Sequence, residues 1–258
     1  APVSAGLRLV VTALALLAAA SVRADVKLPT VFSDHMVLQQ GVSVPVWGWA
    51  DEGELVVVQY RDQVVQTRAK NGKWQVKLPP MKANASPANL LVLGHSRIEL
   101  KNVVVGEVWV ASGQSNMQWP LRQTVNWQAA AAAAANPNLR LFYVPRVKSP
   151  QPVTDLQGQY NNAKPAWTVA SPETTPDFSA VAYFFGRDLQ PARGLPVGII
   201  HTSWGGSPAE VWMSERVLAG NPDYRRDILD NYQVAMKNFE AAKARFPEQL
   251  AKAKAAKA

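Results

Sequence analysis

Val103-Val104-Val105-Gly106-Glu107-Val108-Trp109-Val110-Ala111-Ser112-Gly113-Gln114-Ser115-Asn116-Met117 is the stretch on which the fold turns. A near-continuous apolar run of this kind is what a strand covered on both faces of a parallel sheet requires. The run ends with a glycine two residues before a serine. Such a spacing lets the backbone turn sharply from strand into helix, exposing the Ser115 hydroxyl and leaving helix N-terminal amides free to stabilise an oxyanion. Downstream the pattern predicts an alanine-rich helix over 118–135, stopped by Asn136-Pro137, and a strand over 139–144. A long proline-rich loop to about Asp177 follows, then a helix over 179–190 and an apolar strand over 197–201. Strand, helix, strand, loop, helix, strand is the grammar of a doubly wound α/β domain.

Upstream the texture differs. Val42, Val44 and Val46 alternate with Ser43 and Pro45; Trp74, Val76 and Leu78 alternate with Lys73, Gln75 and Lys77; Ile98 and Leu100 alternate with Glu99 and Lys101. Period two, with Asn71-Gly72 between strand candidates, predicts hairpins and an antiparallel β-sandwich over 25–102. Residues 1–24 hold Arg8, an apolar core over 9–20 and Val22-Arg23-Ala24, the pattern of a cleaved signal peptide. That core is too short for a membrane anchor, so an exported, periplasmic or extracellular protein is expected. Residues 222–258 read as an Ala/Lys-rich helical segment.

Composition narrows the chemistry. The 258 residues include no cysteine and three histidines, His35, His95 and His201, far apart in sequence. Thiol nucleophiles, iron–sulfur clusters and Cys-ligated zinc are excluded, no HExxH-type pair exists, and no metal or other cofactor is expected. The net charge of +8 comes from 27 basic and 19 acidic side chains. Much of it sits in the leader and the helical tail and no nucleic-acid-binding motif accompanies it, so no nucleic-acid partner is expected.

In open parallel sheets ligands bind at the carboxyl ends of strands, and two glycine turns stand there. One is Ser112-Gly113-Gln114-Ser115; the other is Thr202-Ser203-Trp204-Gly205-Gly206-Ser207-Pro208. The plainer readings are a helix N-cap and a tight turn. Trp119, Trp204 and Trp212 nearby could line a sugar site with their flat faces or simply fill the core. His201 stands close to the second turn and could serve as a base only if it reaches the serine hydroxyl.

The block Gly106-Glu107-Val108-Trp109-Val110-Ala111-Ser112-Gly113-Gln114-Ser115-Asn116-Met117-Gln118-Trp119-Pro120-Leu121 closely resembles the signature of the bacterial sialate O-acetylesterase family, within the SGNH (GDSL-like) hydrolases. Phe32-Ser33-Asp34-His35-Met36-Val37-Leu38-Gln39, Val44-Pro45-Val46-Trp47-Gly48-Trp49-Ala50 and Pro196-Val197-Gly198-Ile199-Ile200-His201-Thr202-Ser203-Trp204-Gly205-Gly206-Ser207-Pro208-Ala209-Glu210 agree with it, in the family's order. The resemblance implies an α/β protein with an N-terminal all-β domain: a β-sandwich, residues 25–102, followed by an incomplete SGNH-type, flavodoxin-like α/β/α domain over 103–221. It implies a serine esterase that removes acetyl groups from acetylated carbohydrates, with Ser115 as nucleophile. The amides of Ser115 and of Gly205 or Gly206 would form part of the oxyanion hole, and Gln114, Asn116, Trp119 and Trp204 are candidates for substrate contact. The family's later Gln-Gly-Glu and Asp-x-x-His blocks do not occur here, so a truncated chain with little activity of its own is expected. Sialic acid and acetylated xylan are both substrates compatible with this chemistry. A non-catalytic, exported glycan-binding module is the competing expectation.

Overall fold

The computed structural model of the chain describes residues 25–149 and 151–255; the expected leader lies outside them. The N-terminal strands are β1 (Val37–Gln39), β2 (Val44–Trp49), β3 (Leu55–Tyr60), β4 (Gln63–Arg68), β5 (Lys73–Leu78) and β6 (Asn84–Leu93). The 17-residue β7 (Arg97–Gly113) follows, then β8 (Asn136–Tyr143), β9 (Thr168–Ala170) and β10 (Val197–Ser203). Eight strands form one mixed sheet in the order β4-β3-β6-β7-β10-β8-β9, with β1 on β7; β2 and β5 form a separate antiparallel pair. A mixed sheet with helices is consistent with the expected α/β class.

The period-two pattern translates directly into burial. Along β2 and β5, Val44, Val46, Trp74, Val76 and Leu78 are buried while Pro45, Lys73, Gln75 and Lys77 face out. Asn71 and Gly72 take φ of 54° and 71°, the left-handed pair that a two-residue hairpin turn needs, and Lys70 and Lys73 exchange both backbone hydrogen bonds across it. Beyond that bridge β4 and β5 part into different sheets. Val42 lies outside β2 and is exposed. The pairing is also not wholly antiparallel: β1 runs parallel to β7, with Val37 opposite Val104.

Strand β7 changes partners along its length. Its first half pairs with β6, and Glu107 N donates to Pro196 O at 2.9 Å beside β10. Residue 102, where the change of domain was expected, therefore falls inside a continuous strand. Residues 103–106 are buried on both faces as expected, but Trp109 and Val110 are exposed. Strands β10 and β8 pair in parallel, with Val197 opposite Leu139.

Three expectations for the segment after β7 need correction. The helix expected over 118–135 is broken into α1 (Ser115–Gln118), a 3-10 turn Leu121–Gln123 and α2 (Trp127–Ala132). Pro120 sits extended at ψ 152°, and Asn126 enters the left-handed region at φ 57°, which interrupts a continuous helix. Asn136-Pro137 opens β8 rather than merely ending a helix, the Asn136 side chain accepting Asn138 N at 2.9 Å. The proline-rich loop contains β9, antiparallel to β8. Helix α3 (Ala180–Arg193) follows with Ser179 as N-cap, accepting Ala182 N at 3.2 Å, and a left-handed Gly194 beyond its end.

Side chains of β8 divide between two cores. Phe142 joins Val46, Val58, Tyr60, Leu90 and Val104, whereas Leu139 and Leu141 pack with Phe178, Tyr183, Val197 and Ile199. The chain divides into two compact units: the described residues to Ser112 with Met117–Ser203, and Gly113–Asn116 with the chain from Trp204 onward. In the second, a 3-10 turn (Ala209–Trp212), α4 (Glu215–Ala219), α5 (Pro222–Tyr224) and a π-helical turn (Arg225–Asp230) lead into α6 (Asn231–Ala255), which buries no side chain. Among the described residues no helix is long and apolar enough to cross a membrane.

Candidate active site

Ser115 opens α1 and is exposed. The turn that presents it needs Gly113, whose φ of 144° is open to glycine and rarely to other residues. Gly206, at φ 79°, marks the second glycine turn. Gly113–Ser115 of the first turn and Trp204–Pro208 of the second belong to the same compact unit and are joined by one backbone hydrogen bond, Trp204 N donating to Gly113 O at 2.9 Å. Gln114, Asn116, Trp204 and Gly205 belong to that unit as well. Ser207 fastens the second turn, its hydroxyl donating to Trp204 O at 2.6 Å and accepting the indole N–H of Trp212 at 3.0 Å.

Trp119 lies in the other unit and is exposed, with its indole N–H given to Gln123 O at 3.1 Å. Neither Trp119 nor Trp212 is buried core. The chemical capacity of the glycine turns is nucleophile presentation with backbone N–H groups nearby, since the first amides of a helix have no intrahelical partner.

The three histidines are engaged elsewhere. His201 lies within β10 as expected, 1% exposed, its Nε2 2.7 Å from Ser203 Oγ. Tyr143 and Phe178 meet its ring edge-on, and burial lowers its pKa to about 4, so it is a neutral imidazole at physiological pH. The spacing of His201 and Ser203, two apart on a strand, was a legible signal for this pairing. His35 Nδ1 meets Asn102 Nδ2 at 2.7 Å, and the Asn102 carbonyl accepts from Arg140, itself buried. The block around His35 therefore acts as a clasp: Asp34 Oδ1 accepts Lys101 N at 2.7 Å, and Ser33 Oγ accepts Trp167 N at 2.9 Å.

His95 Nδ1 lies 3.3 Å from Glu54 Oε2 and 3.6 Å from Asp51 Oδ2. Among the described residues these three form a group whose ligand atoms lie within 4.8 Å of one another, the arrangement closest to a metal cradle. The Glu54 carboxylate already accepts the amides of Asp51 at 3.0 Å and His95 at 2.6 Å. Those bonds tie two loops together.

No family model matches the chain. Curated relatives do. Sialate O-acetylesterase of Rattus norvegicus is 31% identical over 208 residues, covering 74% of this chain and 38% of the relative. The Mus musculus and Homo sapiens proteins of the same name are 32% identical over 209 residues and 30% over 200, again with 38% of each relative covered. A crystal structure of a carbohydrate acetylesterase from Xanthomonas citri superposes with a TM-score of 0.71 at 37% identity, over 77% of this chain and 45% of that one. The chain thus spans less than half the length of the proteins it matches, and over that span its sequence belongs to the sialate O-acetylesterase family.

Proposed function

We propose that this chain supplies the nucleophile and part of the oxyanion hole of a carbohydrate O-acetylesterase. Ser115 Oγ attacks the acetyl carbonyl and its proton passes to a base. The bond between the acetyl carbon and the sugar oxygen breaks, the sugar leaves as its hydroxyl, and water then releases acetate from the acetyl-enzyme. Negative charge on the carbonyl oxygen is met by the amides of Ser115 and of Gly205 or Gly206. The observation that carries this reading is the Trp204–Gly113 hydrogen bond, which joins the exposed serine's turn to the Gly205-Gly206 turn. Gln114, Asn116, Trp119 and Trp204 remain the proposed substrate contacts. The reading takes residues 25–102 as the β-sandwich, 103–221 as the first part of an SGNH-type domain, and the leader as an export signal.

With each histidine engaged in the first compact unit, the base is proposed to come from outside these residues. The chain by itself is then a poor esterase. The test uses a form extended to the full length of the relatives: it hydrolyses a chromogenic acetate, and Ser115→Ala lowers the rate by about 10⁴-fold or more. Retention of the rate in that variant overturns the assignment. Rates on O-acetylated sialic acid and on acetylated xylan decide the sugar. Failure of a serine-directed phosphonate to label Ser115 in the extended form favours the non-catalytic, glycan-binding reading.

A further inference from the structure

Outside the glycine turns, the outer face of the β2–β5 pair carries a second concentration of chemistry. Trp47 stands opposite Gln75 and Trp49 opposite Lys73 in the strand register. Residues two apart on a strand share a face, so the two indoles lie about 7 Å apart along it. Strand β5 sets an amide and an ammonium beside them. The face opens into a groove of about 440 Å³ whose lining adds Arg68 and Lys70 and contains no acidic residue.

The groove is built before any ligand arrives. Phe32 packs edge-on against Trp47 with ring centroids 4.7 Å apart, holding an indole that is still 38% exposed. The Asn71-Gly72 turn places Lys70 and Lys73 with both backbone bonds closed, at 2.8 and 3.1 Å. Arg68 is oriented through Nη1, which donates to Gly53 O at 2.9 Å. Two aromatic platforms with an amide suit the faces and hydroxyls of sugar rings, and three cations that make no ion pair among the described residues suit carboxylates, although the Glu52 carboxylate stands on the Asn71 amide at the turn between Lys70 and Lys73. We infer that this groove is a binding site for an acidic oligosaccharide, one bearing carboxylates on successive or alternate rings. The choice of a saccharide over other anions rests on the carbohydrate reading of the family; the site itself needs no step of the esterase chemistry.

The test is titration calorimetry on the purified chain with an oligogalacturonate, its fully methyl-esterified neutral counterpart, and a single-stranded oligodeoxynucleotide. The oligogalacturonate binds with one site and weakens as salt is raised, and the neutral ester binds about tenfold more weakly or worse. Trp47→Ala and Lys73→Gln, both on exposed side chains, each weaken binding about tenfold, while Ser115→Ala leaves it unchanged. Circular dichroism matching the parent shows that the variants are folded. Equal binding of the neutral ester overturns the anionic class, and equal or tighter binding of the oligonucleotide overturns the saccharide. Binding that survives Trp47→Ala, or no binding of any probe, overturns the site. In the form extended to the full length of the relatives, loss of esterase activity in Ser115→Ala with groove binding intact separates the two sites.

Discussion

At His201 the burial that excludes water also sets a pH dependence. Unfolded, the imidazole titrates near 6.5; folded, at about 4. Between those values the unfolded chain holds more protons, so this group's contribution to stability is complete above pH 6.5 and is lost as the pH falls toward 4. The loss is on the order of 3 kcal/mol. Urea unfolding at pH 7 and pH 4.5 measures it, and His201→Gln flattens the difference between the two pH values; an unchanged difference in the variant assigns the effect to other groups. Ser115 presents the opposite case, an exposed side chain whose replacement is expected to cost little stability. That asymmetry was partly legible. A serine after a strand-ending glycine is a local pattern, whereas the burial of His201 depends on Tyr143 and Phe178, both distant in sequence.

Among the elements, β7 is the one on which the most depends. Its apolar run announced a buried strand, and at Gly106 the reason for glycine is spatial: a Cβ there would run into the Pro196 carbonyl. Gly106→Ala is therefore expected to cost about 3 kcal/mol, read as a lowered urea midpoint; a cost under 1 kcal/mol would mean that the backbone yields. Helix α3 depends on a smaller device. Ser179→Ala removes the acceptor for Ala182 N and lowers stability by about 1 kcal/mol, read as a lowered urea midpoint; an unchanged midpoint would show that the cap contributes nothing. The alanine run of 129–135 predicts part of one long helix because alanine has the highest helix propensity. Only a short helix formed, since the left-handed Asn126 delays its start to Trp127 and the chain leaves the helix at Ala133 on its way into β8.

For the molecule as a whole, the described residues carry two kinds of stability. Strands β3, β6, β7, β8 and β10 place side chains in shared cores, whereas α6 buries none and rests on helix propensity and local pairs such as Lys243–Glu240 and Lys252–Glu248. Amide hydrogen exchange over Asn231–Ala255 is expected within seconds to minutes, against hours or longer for Val103–Val105. Equal protection would show that something covers α6. The purified chain is also expected to release acetate from a chromogenic ester no faster than its Ser115→Ala variant; a serine-dependent rate would place a base within these residues.

What the sequence determined by itself is what short-range chemistry dictates: alternating burial in β2 and β5, the Asn71-Gly72 turn, the strand over 197–201, the capped helix at Ser179 and the two glycine turns with Ser115. Backbone sterics and hydrophobic periodicity act within a few residues, so their traces are local. The tertiary structure alone decided that β7 is one strand serving both regions, that β1 runs parallel to it, and that β4 and β5 part into separate sheets. It also decided that Phe142 and Leu141, neighbours in β8, enter different cores. Each of these is a pairing between segments tens of residues apart, chosen by which faces bury most apolar surface together, and no local pattern carries that information.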